Sequence, residues 1–260
     1  MADKIKLIIK NDKFQDLIDK LSDLTSIDDT IKLKIDNENT LMYSMLGGNV
    51  MLAFKNFLIK TNDYFEIKDE LEYSYDVIIA NCNKFVKNLE FLKTQPKITM
   101  TLSCKESQED ETVMSARSMQ IVGGKLKVNW LAAERYEMRD INKDVLSQRL
   151  DLKNRKWSFI ISKEDFLDVK KLSNINADKV ININVIDGKV TLSEKAAWEL
   201  EIGETKKSSA SLIFNKRFFK CIDADREEIE FSMFENFMLI KDNQSNLMLS
   251  YEQDFSDEDI

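Results

Sequence analysis

Apolar residues recur along this chain at two spacings, and the changes of spacing mark out its elements. Over 13–24 they return at helical intervals: Phe14, Leu17, Ile18 and Leu21 fall at i, i+3, i+4 and i+7 and share one face. A second helix is predicted over 81–94, with Phe85, Leu89 and Leu92 as its inward stripe. Pro96, the only proline, stops it, because proline cannot donate to the helical ladder. Strands are predicted at 4–10, 30–35, 40–46, 50–60, 72–79, 97–104, 112–121 and 125–131, mostly with alternate residues apolar. Asp36-Asn37-Glu38-Asn39 turns between two of them, and Gly123-Gly124-Lys125 between the last two. From 132 to 156 the periodicity fails. This polar stretch reads as a connector with room for a turn of helix.

Beyond the connector the plan recurs. The helical run from Lys13 to Ser22, followed by Thr30-Ile31-Lys32-Leu33-Lys34-Ile35, has a counterpart from Glu164 to Ser173, followed by Lys179-Val180-Ile181-Asn182-Ile183-Asn184-Val185. Asn83-Lys84-Phe85-Val86-Lys87 before a strand is answered by Lys216-Arg217-Phe218-Phe219-Lys220 before another. In this half, helices are predicted at 163–174 and 215–223. Strands are predicted at 157–162, 197–202, 210–214, 228–234, 236–241 and 246–251, with a hairpin turning at Asp187-Gly188. A duplication fixes the fold question at the level of the repeat. The expected class is α+β, two tandem domains, each with two helices on one face of an antiparallel sheet. The boundaries are 1–133, a connector at 134–156, 157–252, and an acidic tail at 253–260.

Composition narrows the chemistry. Of 260 residues 43% are hydrophobic, enough for a sizeable core, and no apolar run approaches the roughly 18 residues of a membrane span, so no membrane partner is expected. The start, Met1-Ala2-Asp3-Lys4, has no signal-peptide pattern. Cys82, Cys104 and Cys221 lie far apart, as reduced core residues of an intracellular protein do. Histidine is absent, which removes the commonest general base and metal ligand and rules out Ser-His-Asp and Cys-His sites. No cysteine pair has zinc spacing, and no helix with Ser or Thr follows Gly123-Gly124-Lys125 to make a phosphate loop. No catalytic residue, metal or cofactor is assigned, and the protein is read as a non-enzyme.

The formal net charge is −8, but clustering decides partners more than the sum does. The second helix carries Lys84, Lys87 and Lys93 against one acid, Glu90; the fourth carries Lys216, Arg217 and Lys220. The first (Lys13, Lys20) and third (Lys163, Lys170, Lys171) mix bases with acids. Two readings stay open: ordinary solvated faces, or faces that meet phosphates. In the second, no interleaved aromatic or base-reading set accompanies the lysines, so contact would be independent of sequence, weak and salt-sensitive.

These residues resemble a known family. Ser44-Met45-Leu46-Gly47-Gly48-Asn49-Val50-Met51-Leu52 is similar to the Ser-Met-x-x-x-x-Val-x-Leu segment of the sliding clamps of DNA replication, in both the proliferating cell nuclear antigen type and the T4-like phage type. The stretch 159–192, with Phe166, Leu172 and Asp187-Gly188-Lys189-Val190, resembles the start of their second domain, and 214–251 resembles its end. The likeness covers nearly the whole chain and rests on the order and spacing of these segments together. Asn49 stands where eukaryotic members carry histidine, and the longer connector lacks their Leu-Gly-Ile-Pro segment. Both features bring the chain nearer the phage type, with the cytoplasm of an infected bacterium as its setting, or the nucleus if eukaryotic.

The resemblance implies a homotrimeric ring, helices lining a hole that holds double-stranded DNA, and DNA polymerase and a clamp loader as partners. It places the subunit interface at Lys125, Lys127, Val128 and Trp130 of one edge and Trp198, Glu199, Leu200 and Glu201 of the other. Opposite charges on facing strands are favourable by roughly 0.2–1 kcal/mol per pair. It places a partner-peptide pocket at Met45, Asn49, Val50, Leu52, Phe237, Leu249, Ser250 and Tyr251, some of which would equally serve as core. The alternatives are a clamp-fold accessory or transcription factor that forms no ring, and a β-rich viral structural protein.

Overall fold

In the computed structural model, residues 3–251 are described except 48–51, 69, 108–109, 134–137, 139–140, 142, 176–178, 195–196, 223–226 and 242–244; the side chains of 3, 143–145, 218 and 220 are likewise outside the description. The chain forms two compact units, 1–45 with 55–140 and 46–54 with 141–260.

The first unit runs β1 (Asp3–Ile9), α1 (Asn11–Leu24), β2 (Ile31–Ile35), β3 (Asn39–Leu46), β4 (Ala53–Lys60), α2 (Thr61–Tyr64), β5 (Phe65–Ile67), β6 (Ser74–Ile79), α3 (Cys82–Glu90), β7 (Ile98–Glu106), β8 (Val113–Gly123) and β9 (Leu126–Leu131). Its strands lie in the order β4-β3-β2-β6-β8-β7-β1-β5, with β9 on the far end of β8. Pairing is antiparallel except where β6 meets β8, which run parallel over Ser74↔Val113 to Asp76↔Ser115. That junction departs from the expected all-antiparallel sheet. It arises because β8 is long enough to pair with β6 at its start and β9 at its end. α1 and α3 pack side by side. Phe14, Leu17, Ile18, Leu21, Phe85, Leu89 and Leu92 are buried in one core with strand residues such as Leu7 and Met100. Each such side chain removed from water contributes about 1.5–3 kcal/mol.

The second unit contains α4 (Lys143–Arg149), a 3-10 turn (Leu152–Asn154), β10 (Trp157–Ser162), α5 (Lys163–Ile175), β11 (Val180–Ile186), β12 (Lys189–Glu194), β13 (Trp198–Glu204), β14 (Ser209–Asn215), a 3-10 helix (Lys216–Cys221), β15 (Glu228–Met233), β16 (Phe237–Lys241) and β17 (Ser245–Ser250). Its strands form the orders β10-β15-β16-β17 and β14-β11-β12-β13. Residues 46–54 join it at β17, where the Ser250 amide donates to the Leu52 carbonyl at 3.0 Å. Asp187 and Gly188 both have positive φ, 51° and 83°, as the tight hairpin requires.

The duplication is visible strand by strand. β6-β2-β3-β4 of the first unit corresponds to β14-β11-β12-β13 of the second, and β1-β7-β8-β9 to β10-β15-β16-β17. Each unit is itself a strand–helix–three-strand pattern used twice, with the leading strand of each pattern paired into the other's sheet. The fourth helix differs from expectation: six residues of 3-10 geometry replace the α-helix predicted over 215–223. Phe219 and Ile222 are buried three residues apart, a spacing that suits three residues per turn. The turn α2 and strand β5 were not foreseen; they occupy a stretch without clear periodicity.

Candidate nucleic-acid interface and strand edges

Two kinds of surface bear on function: the faces of the helices and the edges of the sheets. On α3, Lys84 and Lys87 are exposed, as is Lys93 just beyond the helix, because Phe85, Val86, Leu89 and Leu92 take the inward positions. Asn81, in the left-handed region at φ 53°, precedes the helix, and Asp29 accepts from both the Asn83 amide and its side chain.

Other basic residues are held within the chain. Lys20 is 8% exposed, bonded to Asp16 at 2.6 Å and set over the rings of Phe57 and Tyr64. It therefore does not sit on a solvent face as the sequence predicted, because the aromatic floor under α1 draws its stem inward. Lys13 is half-buried over Tyr64. Burial raises the Asp16 carboxyl, but bonds from Lys20 and Tyr64 outweigh it and leave the group below its ordinary value. On α5, Lys163 is half-buried, Lys170 donates to the Ile222 carbonyl at 2.7 Å, and exposed Lys171 is tied to Asp168 at 2.7 Å. Lys216 is paired with buried Glu194 at 2.9 Å, Arg217 is exposed, and the Lys220 side chain lies outside the described residues. Among the described helical bases, those of α3 and the adjoining Lys93 are exposed, while most of the others are half-buried or paired with acids.

β9 pairs only with β8, and β13 ends its sheet against β12; among the described residues no strand pairs with either outer edge. On β9, Lys127 is exposed, and the flanking Lys125 is too; Val128 and Trp130 lean on the first unit's core, with Trp130 edge-to-face on Phe85 at 5.2 Å. On β13, Glu199 and Glu201 are exposed and alternate with half-buried Trp198 and Leu200. Lys189 holds Glu201 at 3.2 Å, which leaves Glu199 as the less engaged acid.

Of the expected peptide-pocket residues, Asn49 and Val50 lie outside the described residues. Met45 is half-buried and Leu52 exposed. Phe237 stacks on Phe234 at 4.6 Å and is paired with Ser250. The Tyr251 hydroxyl donates to the Phe234 carbonyl at 2.7 Å, and burial holds it protonated far above its ordinary range. Leu249 is 1% exposed and belongs to the core, so it offers no surface to a peptide. Among the described residues no group of His, Cys, Asp and Glu could hold a metal ion, and no helix is long and apolar enough to cross a membrane.

No family model matches the sequence, and no curated protein does. Solved structures do match. A putative DNA polymerase III beta subunit from Eubacterium rectale is similar with a TM-score of 0.68 at 13% identity, over 98% of this chain and 67% of its own. PCNA from Thermococcus kodakaraensis gives 0.62 at 8% identity, over 95% of this chain and 100% of its own. A Helicobacter pylori beta clamp bound to a DNA ligase peptide gives 0.64 at 14% identity, over 98% and 68%. The chain has the fold of the sliding clamps. It spans the full length of PCNA and about two thirds of the beta clamps.

Proposed function

We propose that this protein is a DNA polymerase processivity factor: a non-catalytic sliding clamp that encircles duplex DNA without sequence preference and tethers polymerase, with a clamp loader to place it. The observation that carries this is the pair of open, oppositely charged edges read through the duplication. β4 corresponds to β13, and β17 to β9. Within the second unit, the Leu52 carbonyl, just ahead of β4, accepts from the Ser250 amide of β17. Applied to the remaining equivalents, the same pairing joins β13 of one copy to β9 of the next, head to tail. Three chains of two clamp domains, 1–133 and 157–252 about the connector, give six domains and close the ring.

Within that ring the lysines of α3, supplemented by Lys13, Lys163, Lys171 and Arg217, meet phosphates. Contact of this kind holds DNA weakly and lets it slide, while topology prevents escape. Leu52, Phe237, Ser250 and Tyr251 of the second unit are the positions at which a partner peptide docks. The proposed setting, resting on the sequence features shared with the phage type, is the cytoplasm of an infected bacterium.

The test is retention on DNA. Loaded on a nicked circle, the protein is expected to stay bound through a moderate-salt wash and to leave once the circle is cut. Equal loss from circular and linear DNA overturns the reading. Charge reversal of Lys84 and Lys87 is expected to lower the salt slope of the residual DNA affinity by about 0.9 per lost phosphate contact, with the ring intact.

A further inference from the structure

In the first unit, the face of the sheet turned away from α1 and α3 has a charge pattern of its own. Leu7, Met100, Leu102, Met119 and Ile121 go inward to the core, so the residues alternating with them on β1, β7 and β8 point outward. Cross-strand partners share a face, and the registers lay the outward residues out in rows. Lys4, Ser103, Ser118 and Leu131 form one row; Lys6, Thr101, Gln120 and Asn129 form the next. Short hydroxyl side chains stand between the longer Lys4 and Leu131, and a concavity of about 230 Å³ lies over them. Among the described residues it is lined by these four strands alone.

For a chain of net charge −8, this face has few acids. β8 and β9 contain none. Glu66 of β5 shares the face at its far corner, beside Ile8, and Glu106 ends β7 on the opposite alternation. Asp110 and Glu111 sit in the β7–β8 turn, the first bonded to Thr112. The side chains of Asp3, Glu109 and Glu134 lie outside the described residues. Against these stand exposed Lys4, Lys6 and Lys127, with exposed Arg117 at the bulge beside Ser118. Among the described residues Lys4 and Lys6 have no ion-pair partner, and the hydroxyls of Thr101, Ser103 and Ser118 have no hydrogen-bond partner. The Gln120 amide donates to Asn129 at 3.0 Å, and Leu131 is 82% exposed at the end of its row.

We propose that this face binds an acidic segment of a partner protein. The row from Lys4 to Leu131 crosses three inter-strand spacings, roughly 14 Å, which an extended peptide covers in about four residues. The segment lies across the strands. Its carboxylates meet Lys4 and Lys6 and accept from the Ser103 and Ser118 hydroxyls, and an apolar residue about four positions away rests on Leu131. A peptide fits better than nucleic acid because the face ends in an apolar residue and offers bases no stacking platform: Trp130 turns inward onto Phe85. The site goes beyond the clamp reading, since it lies opposite the helices and uses side chains rather than the backbone edge of β9.

The probe is a fluorescent peptide with paired aspartates and a leucine about four residues away, titrated by anisotropy against the full chain without DNA. Binding is expected. Lys4→Glu with Lys6→Glu should weaken it at least roughly fivefold and shift preference to a peptide with lysines in place of the aspartates. Replacing the peptide's leucine by serine should also weaken it. Lys84→Glu with Lys87→Glu on α3 should leave it unchanged, and the β1 variant should stay on circular DNA as wild type does, so this proposal and the clamp reading fail separately. Substitutions are kept off β9, the edge assigned to the neighbouring copy, and melting curves report folding. Absence of binding, equal affinity for the β1 variant, or indifference to the leucine overturns the proposal. So does an oligonucleotide that displaces the peptide and is itself lost from the β1 variant, which would give the face to nucleic acid. Tighter peptide binding after deletion of 252–260 overturns it too, by giving the face to the chain's own acidic end.

Discussion

Lys20 and Lys84 are both lysines on helices, yet one is spent inside the protein and the other faces solvent. What separates them is the floor beneath: rings of Phe57 and Tyr64 under α1, none under the outward face of α3. The most committed charge pair is Lys32 with Asp76, 2.7 Å apart, Lys32 being 0% exposed. Asp76→Leu alone removes the carboxylate 2.7 Å from a buried cation and is expected to cost roughly 3–5 kcal/mol in chemical denaturation, whereas Lys32→Met with Asp76→Leu should be close to neutral. Asp16 gives a pH test. Its carboxyl is depressed in the folded state, so its stabilisation is present above the ordinary carboxyl range and lost as pH falls through the folded value. The melting gap between wild type and Asp16→Asn should therefore be open at neutral pH and close in acid below about pH 4. Cys82, buried and beside Asp29, has its thiol pushed up to about 12 and should resist alkylation until the protein unfolds.

At the scale of elements, periodicity located most of the architecture. The helix over 13–24 appears as Asn11–Leu24, the strand at 157–162 appears unchanged, and Asp187-Gly188 turns where it should, because one buried face fixes each of these. Less was legible where burial comes from distant parts of the chain. β5 is three residues long and exists because β1 offers an edge, a fact no local pattern records. The short 3-10 helix Lys216–Cys221 and the inward turn of Lys20 are of the same kind. Of the candidate site, the strands β9 and β13 were singled out by the family resemblance, while the commitment of Glu201 to Lys189 was not legible in the sequence. It follows that Glu199→Lys should weaken copy-to-copy association more than Glu201→Lys, and both together should give monomers by light scattering. An undiminished oligomer would remove β13 from the interface.

For the whole molecule, the proposed hold of an acidic chain on an acidic polymer rests on distribution and topology rather than affinity. In the proposed ring, a net charge of −8 would disfavour wrapping of DNA around the outside, and the exposed lysines of α3 would hold it loosely within. Everything in that account depends on closure. Imaging the purified protein by negative stain, with its mass from light scattering, tests this directly. The expected result is a closed hoop of three copies around a central opening. A monomer, a solid dimer or an open filament would contradict it.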